Sequence, residues 1–273
     1  MKQLVETALA FFTHDLREEI ARPARIAARA ATAVTVLVVI AFAGSAFGAR
    51  PDAMWSDTGF FSWFALGYAL LGLVWVTLAS FRIRVVRYRQ RGLLEACALT
   101  RTPLWKILLV IPKYDVAVAT VGVGCVSVLA LMASASPVDA SDVAIAIAYF
   151  VGGLVPMTAL GILATGALLT SRFGSLAERA VRALSTVACG ALVPREVLPT
   201  WLAYVGEWLP LGALLDGIRW SLFGASDAWT VSPLVRMAVL SVVLVPVAVV
   251  SARAAIARAL LGGYLAPHPN ARH

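Results

Sequence analysis

Five charged side chains, Arg195, Glu196, Glu207, Asp216 and Arg219, interrupt the otherwise apolar stretch ALVPREVLPTWLAYVGEWLPLGALLDGIRW at residues 191–220, together with Pro194, Pro199 and Pro210. Carboxylates and guanidinium groups in apolar surroundings do one of two things. They contact a polar substrate, or they neutralise one another. Asp216 and Arg219 are three apart, adjacent on a helical face, and can form a pair; a structural pair and substrate contact both fit this spacing. Glu207 lies about one turn before Pro210 and can face water. Other chemistry is sparse. The chain has no G-x-x-x-x-G-K-[ST] phosphate loop, no H-E-x-x-H, no G-x-S-x-G elbow and no cluster of His with carboxylates suited to metal chemistry. Cys97, Cys125 and Cys189 lack the paired spacing of a disulfide framework or zinc site and read as small buried residues. Asp115 is the single acid near the inner half of an apolar run, so a proton relay has no residues to run through. If the chain moves a substrate, its energy comes from another polypeptide.

Two further groupings could bind something. Phe60, Phe64, Tyr68 and Trp75 recur at helical spacing and form one stripe. The stripe either lines a substrate path, stacking on a bulky ligand, or packs against a neighbouring helix or lipid. Arg82, Arg84, Arg87, Arg89 and Arg91 precede Gly92 and a short apolar turn, LLEACAL. They either hold anionic lipid headgroups or, with the exposed leucines, form a surface that a partner protein grips.

The elements that carry these groups follow from composition. Of 273 residues 60% are hydrophobic and 14% are charged, and the mean hydropathy is +0.85; one soluble core cannot bury that much, so the solvent is lipid. Apolar runs of roughly 20 residues, the length that crosses a bilayer core, lie near 27–48, 60–81, 112–134, 143–170, 174–193 and 233–252. No ten-residue alternation of a membrane barrel is present. The expected fold is an all-α membrane protein of six transmembrane helices in a single domain, residues 1–273. Residues 1–22 place Val5, Leu9, Phe12, Leu16 and Ile20 on one helical face and polar residues on the other, which suits an interfacial helix or one packed on another subunit. Pro156 and Pro246 lie inside spans four and six and should kink them.

Charge distribution sets the sidedness. With the N-terminus in the cytoplasm, 19 of the 23 Lys and Arg fall inside and only Arg50, Arg195, Arg219 and Arg236 outside, whereas seven of the 15 acids are inside and eight outside. This is the positive-inside pattern. The net charge of +8 is therefore a topology signal, and nucleic acid is excluded as a partner. A full crossing by residues 198–223 would put the basic tail outside. The stretch is instead expected to enter from the outer face and turn back, as two short helices broken at Leu209-Pro210 within residues 194–223.

In order along the chain, these features resemble the permease subunits of type 2 ABC exporters. The segment Pro194-Arg-Glu-Val-Leu-Pro199-Thr-Trp201-Leu, then Pro210-Leu211 and Asp216-x-x-Arg219, is similar to that family's signature before the last span. Arg89-Gln-Arg91-Gly92-Leu-Leu94-Glu95, with Thr102-Pro103 beyond, is similar to its cytoplasmic coupling region, here residues 82–106. The chain departs from the pattern at Leu209, where the family often has Asn, and at Pro103, about two residues late. The resemblance implies a multi-pass plasma (inner) membrane protein with both termini cytoplasmic. It also implies a second permease, identical or a sibling, and a cytoplasmic ABC ATPase that holds ATP and Mg, with no cofactor on this chain. The implied cargo is a hydrophobic or amphipathic drug, natural product or lipid, or alternatively a glycan or glycolipid. A polytopic membrane enzyme and an ion-gradient transporter are the readings from other classes.

Overall fold

The computed structural model describes residues 23–47, 60–90, 113–133, 138–170, 174–193, 195–224 and 231–261, with Thr13, Leu16 and Arg17. Among these the chain is helical and contains no strand. The helices are α1 (Pro23–Phe47), α2 (Phe60–Gln90), α3 (Lys113–Ala133), α4 (Ala140–Thr170), α5 (Gly174–Ala188), α6 (Thr200–Glu207), α7 (Pro210–Phe223) and α8 (Pro233–Leu261), with one 3-10 turn at Arg195–Val197. Pro156 and Pro246 lie within α4 and α8, which continue through them.

Among the described residues four helices are long and apolar enough to cross a membrane: Phe61–Ser80 in α2, Tyr114–Ala133 in α3, Ala140–Ala164 in α4 and Pro233–Ala255 in α8. The chain is a membrane protein by that measure. The other two expected spans are helical but do not reach that measure. In α1 the apolar part is shorter, Ala30–Phe42, and α5 has 15 residues that include Glu178, Arg179 and Arg182, roughly 22 Å at 1.5 Å per residue against a hydrocarbon core of about 30 Å. The apolar run 174–193 thus contains a helix and then a turn, because Gly190 takes a left-handed φ of 74° that an L side chain would resist.

The bundle is built around α2, whose apolar segment is 67% buried, against 11% for that of α3 and 17% for that of α8. Leu66, Leu70, Leu71, Leu73, Val74 and Leu78 of α2 meet Leu211, Leu214, Leu215, Ile218 and Leu222 of α7, with Met157 of α4 and Met237 of α8. Helix α4 lies along α8 and α7, α3 lies along α2, and α1 packs beside α2. The outward surfaces carry large apolar side chains: Val121, Val128 and Met132 on α3, Ile147 and Val151 on α4, and Val242, Val243 and Val250 on α8. Polar ones point inward, among them Ser62, Thr77, Ser80, Glu178, Ser185, Asp216, Arg219 and Arg236. An apolar outside combined with buried polar groups is what a lipid solvent selects, since lipid penalises every exposed polar group and tolerates exposed leucine and valine.

Candidate functional site

The charged side chains of the 191–220 stretch gather at one end of the bundle. That end is where α2, α7 and α8 begin and α3 and α5 finish. Ser62 in the first turn of α2 donates its hydroxyl to the Ala130 carbonyl in the last turn of α3 at 2.8 Å, and α5 delivers the chain through Cys189–Val193 to the turn at Arg195. Helix α6 then stops at Glu207, and Leu209 takes an extended backbone (φ −79°, ψ 144°) before Pro210 opens α7. Proline is suited to that first position, where no intrahelical N–H bond is lost and its fixed φ is already helical. The break expected at Leu209-Pro210 is therefore present.

Helix α7 is buried at every position from Pro210 to Arg219. Its Asp216 carboxylate is the centre of the cluster: Oδ2 accepts hydrogen bonds from Arg195 Nη1 and Arg236 Nη2, both at 2.8 Å. Arg236, in the first turn of α8, is wholly buried. It also donates from Nη1 to the Glu207 carbonyl at 2.8 Å, with Glu207 Oε1 at 3.5 Å. Arg195 donates from Nη2 to the Cys189 carbonyl at 3.1 Å.

The spacing allows Asp216 to pair with Arg219, but the structure gives Asp216 to Arg195 and Arg236 and turns Arg219 to other acceptors. Arg219 donates to the Gly190 carbonyl at 2.8 Å and the Trp63 carbonyl at 3.2 Å. Its guanidinium carbon also lies 3.3 Å from the centroid of the Trp63 ring, a cation–π contact strengthened by desolvation. The division of labour has a physical reason. A helix leaves its last carbonyls without intrahelical donors and carries partial negative charge at that end. Cys189 and Gly190 follow the last residue of α5, and Glu207 ends α6. Three arginines thus supply donors to two helix C-termini while two carboxylates offset their charge, all where water is scarce.

Close backbone approach makes the cluster compact. A Cβ on Gly206 would lie 1.8 Å from the Ala188 carbonyl oxygen, and one on Gly212 would lie 2.0 Å from that of Gly206, so α6 is seated directly on the end of α5 and the start of α7.

The remaining candidates lie apart from this cluster. Phe64 and Tyr68 are half-buried and Trp75 is exposed on α2, on the least buried side of an otherwise enclosed helix; the ring of Phe64 lies 5.2 Å from that of Trp63, tilted by 59°. Phe60 is the first residue of α2 and Arg89 lies in its last turn. Arg91, Gly92, Leu94 and Glu95 lie outside the described residues, as do Pro194 and most of 1–22. Pro199 precedes α6 in extended conformation, and Trp201 is exposed on α6. On α5, Glu178 is buried and forms an ion pair with Arg182 one turn on.

Arg195 and Arg236 are the residues that sequence reasoning missed. A signal existed: both are among the four basic residues that the charge pattern sets apart from the other 19. The arrangement cross-links the elements it joins: each carboxylate is aimed at guanidinium groups and the cluster's other acceptors are backbone carbonyls. Among the described residues no three His, Cys, Asp or Glu side chains stand close enough to hold a metal ion. A scan against protein-family models and a search of curated proteins returned no match to this chain.

Proposed function

We propose that this chain is the permease subunit of an ATP-driven exporter of the type 2 ABC class. In this reading it moves a hydrophobic or amphipathic compound outward, powered by a separate ATPase subunit. The observation that carries the reading is the segment from Cys189 to Ser232. It leaves the bundle at the end where α5 stops and returns at the same end, where α8 starts, after two helices broken at Leu209-Pro210. Helix α7 is buried among α2, α4 and α8, as a short helix at membrane depth requires, since irregular backbone there has to be enclosed by protein or line a watery path. In this reading α1 and α5 complete six spans, residues 194–223 are a re-entrant hairpin at the outer face, both termini are cytoplasmic, and residues 82–106 dock the ATPase. A second permease copy or sibling completes the path, with Phe64 and Tyr68 beside it.

The test is reconstitution of the chain with an ATPase subunit encoded beside it. ATP hydrolysis should rise with the transported compound. Glu95→Arg should leave hydrolysis in place while export falls, because a charge reversal at the docking surface uncouples the two. The reading fails if deleting the chain alters the efflux of no compound and the reconstituted assembly hydrolyses ATP no faster with any of them.

A further inference from the structure

Helix α6 carries a feature that the charge cluster does not use. Its inward side is committed: Gly206 lies against the Ala188 carbonyl and Glu207 is held by Arg236. Its other side is open. On α6 Trp201 is 66% exposed, Tyr204 55%, and Val205 is exposed as well, and Val193 and Val197 (76%) are exposed in the turns that lead into it. Trp201, Tyr204 and Val205 recur at the three- and four-residue spacing that places side chains on one helical face. None of the five carries a charge. In water, such a face on an eight-residue helix would be an exposed apolar patch of the kind that marks a binding surface.

The level of α6 along the bundle identifies what covers it. Arg236, which grips the last carbonyl of α6, stands three residues after Pro233, where the apolar run of α8 begins, or about 4.5 Å along the helix axis. Trp63, on which Arg219 stacks, is two residues after Phe61, where the apolar run of α2 begins, or about 3 Å. Helix α6 is therefore tied to the ends of the spans, at the height where hydrocarbon gives way to headgroups. Exposed apolar residues continue past it at that height, Val187 on α5 and Leu234 and Val235 on α8. Trp and Tyr are the side chains suited to this boundary, each with an apolar ring and one polar hydrogen-bonding atom.

We infer that Trp201, Tyr204 and Val205 of α6, with Val197 of the turn before it, are seated in the glycerol and carbonyl layer of the bilayer, as a lipid-facing foot at the hairpin end of the bundle. Its partner is phospholipid, not a second copy of the chain. The inference rests on the membrane character of the helices and goes beyond the export reading.

The test uses the full chain in phosphatidylcholine vesicles and isolates the Trp201 emission as the difference between the parent and Trp201→Phe. Lipids brominated near the carbonyl end of the acyl chain should quench that difference more strongly than lipids brominated near the terminal methyl, and aqueous iodide should quench it least. Val197→Trp, at an open position, should add emission with the same order of quenching, and it serves in the native background if Trp201→Phe fails to fold. Quenching by iodide alone would place the face in water and overturn the inference. Protection from both lipid and aqueous quenchers would place it under a second protein copy and overturn it equally. Absence of ATP-driven export would leave the quenching order untouched, so the two readings fail separately.

Discussion

Replacing Arg236 by Met tests the cross-link at its most enclosed point. The substitution keeps the apolar length of the side chain and removes two charge-assisted hydrogen bonds, to Asp216 Oδ2 and to the Glu207 carbonyl, each at 2.8 Å. Loss of the second leaves the carbonyl at the end of α6 without its buried donor, at a cost of about 1–3 kcal/mol. Breaking a buried ion pair completely costs about 3–5 kcal/mol, but Asp216 keeps its 2.8 Å bond to Arg195, so only part of that applies. Together the losses come to about 3 kcal/mol, which at roughly 2–4 °C per kcal/mol lowers the Tm by about 6–12 °C. The assay is thermal unfolding of the full chain in detergent, followed by loss of the monodisperse size-exclusion peak. A second arm sharpens it. Asp216→Asn alone leaves Arg195 and Arg236 facing each other without a carboxylate between them, whereas the double variant Asp216→Asn, Arg236→Met removes both charges. The double variant should be destabilised by less than the sum of the single ones, with coupling of about 1–3 kcal/mol. A Tm within about 2 °C of the parent for Arg236→Met, below the shift of a single kcal/mol, or strict additivity in the double variant, would refute the view that these groups act as one buried network.

Two other substitutions probe neighbouring contacts in the same assay. Arg219→Lys should cost about 1–3 kcal/mol despite keeping the charge, because an ammonium has no plane to lie on the Trp63 ring and no second nitrogen to replace the fork that reaches the Gly190 and Trp63 carbonyls separately; a Tm equal to the parent would count against the stacked geometry. Gly206→Ala should be the most damaging single-methyl change, since its Cβ would fall 1.8 Å from the Ala188 carbonyl oxygen and force backbone to move. Gly122→Ala is its control: nothing lies within 4 Å of the added carbon, and removing a helix-interior glycine should stabilise by about 0.5–1 kcal/mol.

Much of the architecture is legible in the chain itself, and the reasons are physical. Hydropathy and length identify α2, α3, α4 and α8 as spans because a helix in lipid must be apolar over a fixed distance, whatever its neighbours are. The break at Leu209-Pro210 is legible because proline constrains the residue before it to extended backbone. The end of α5 is not, since Cys189–Val193 is as apolar as the helix it follows. There the turn depends on one left-handed glycine, and on the tertiary demand that the Cys189 and Gly190 carbonyls face Arg195 and Arg219.

The charge cluster divides along the same line. The sequence by itself determined that the charged groups of residues 191–220 needed partners, because acids and bases in a lipid-solvated chain cannot remain isolated. It favoured Asp216 with Arg219 by a local rule, since three residues on a helix differ by roughly 60° around the axis. Only the tertiary structure decided otherwise. Packing of α7 against α8 and the 189–195 turn brings Arg236 and Arg195 to Asp216 from 20 and 21 positions away, while the start of α2 offers Arg219 an aromatic face and a carbonyl. Local spacing fixes which groups can meet along one helix. Which of them do meet depends on what each helical face is pressed against, and that is a property of the packed bundle.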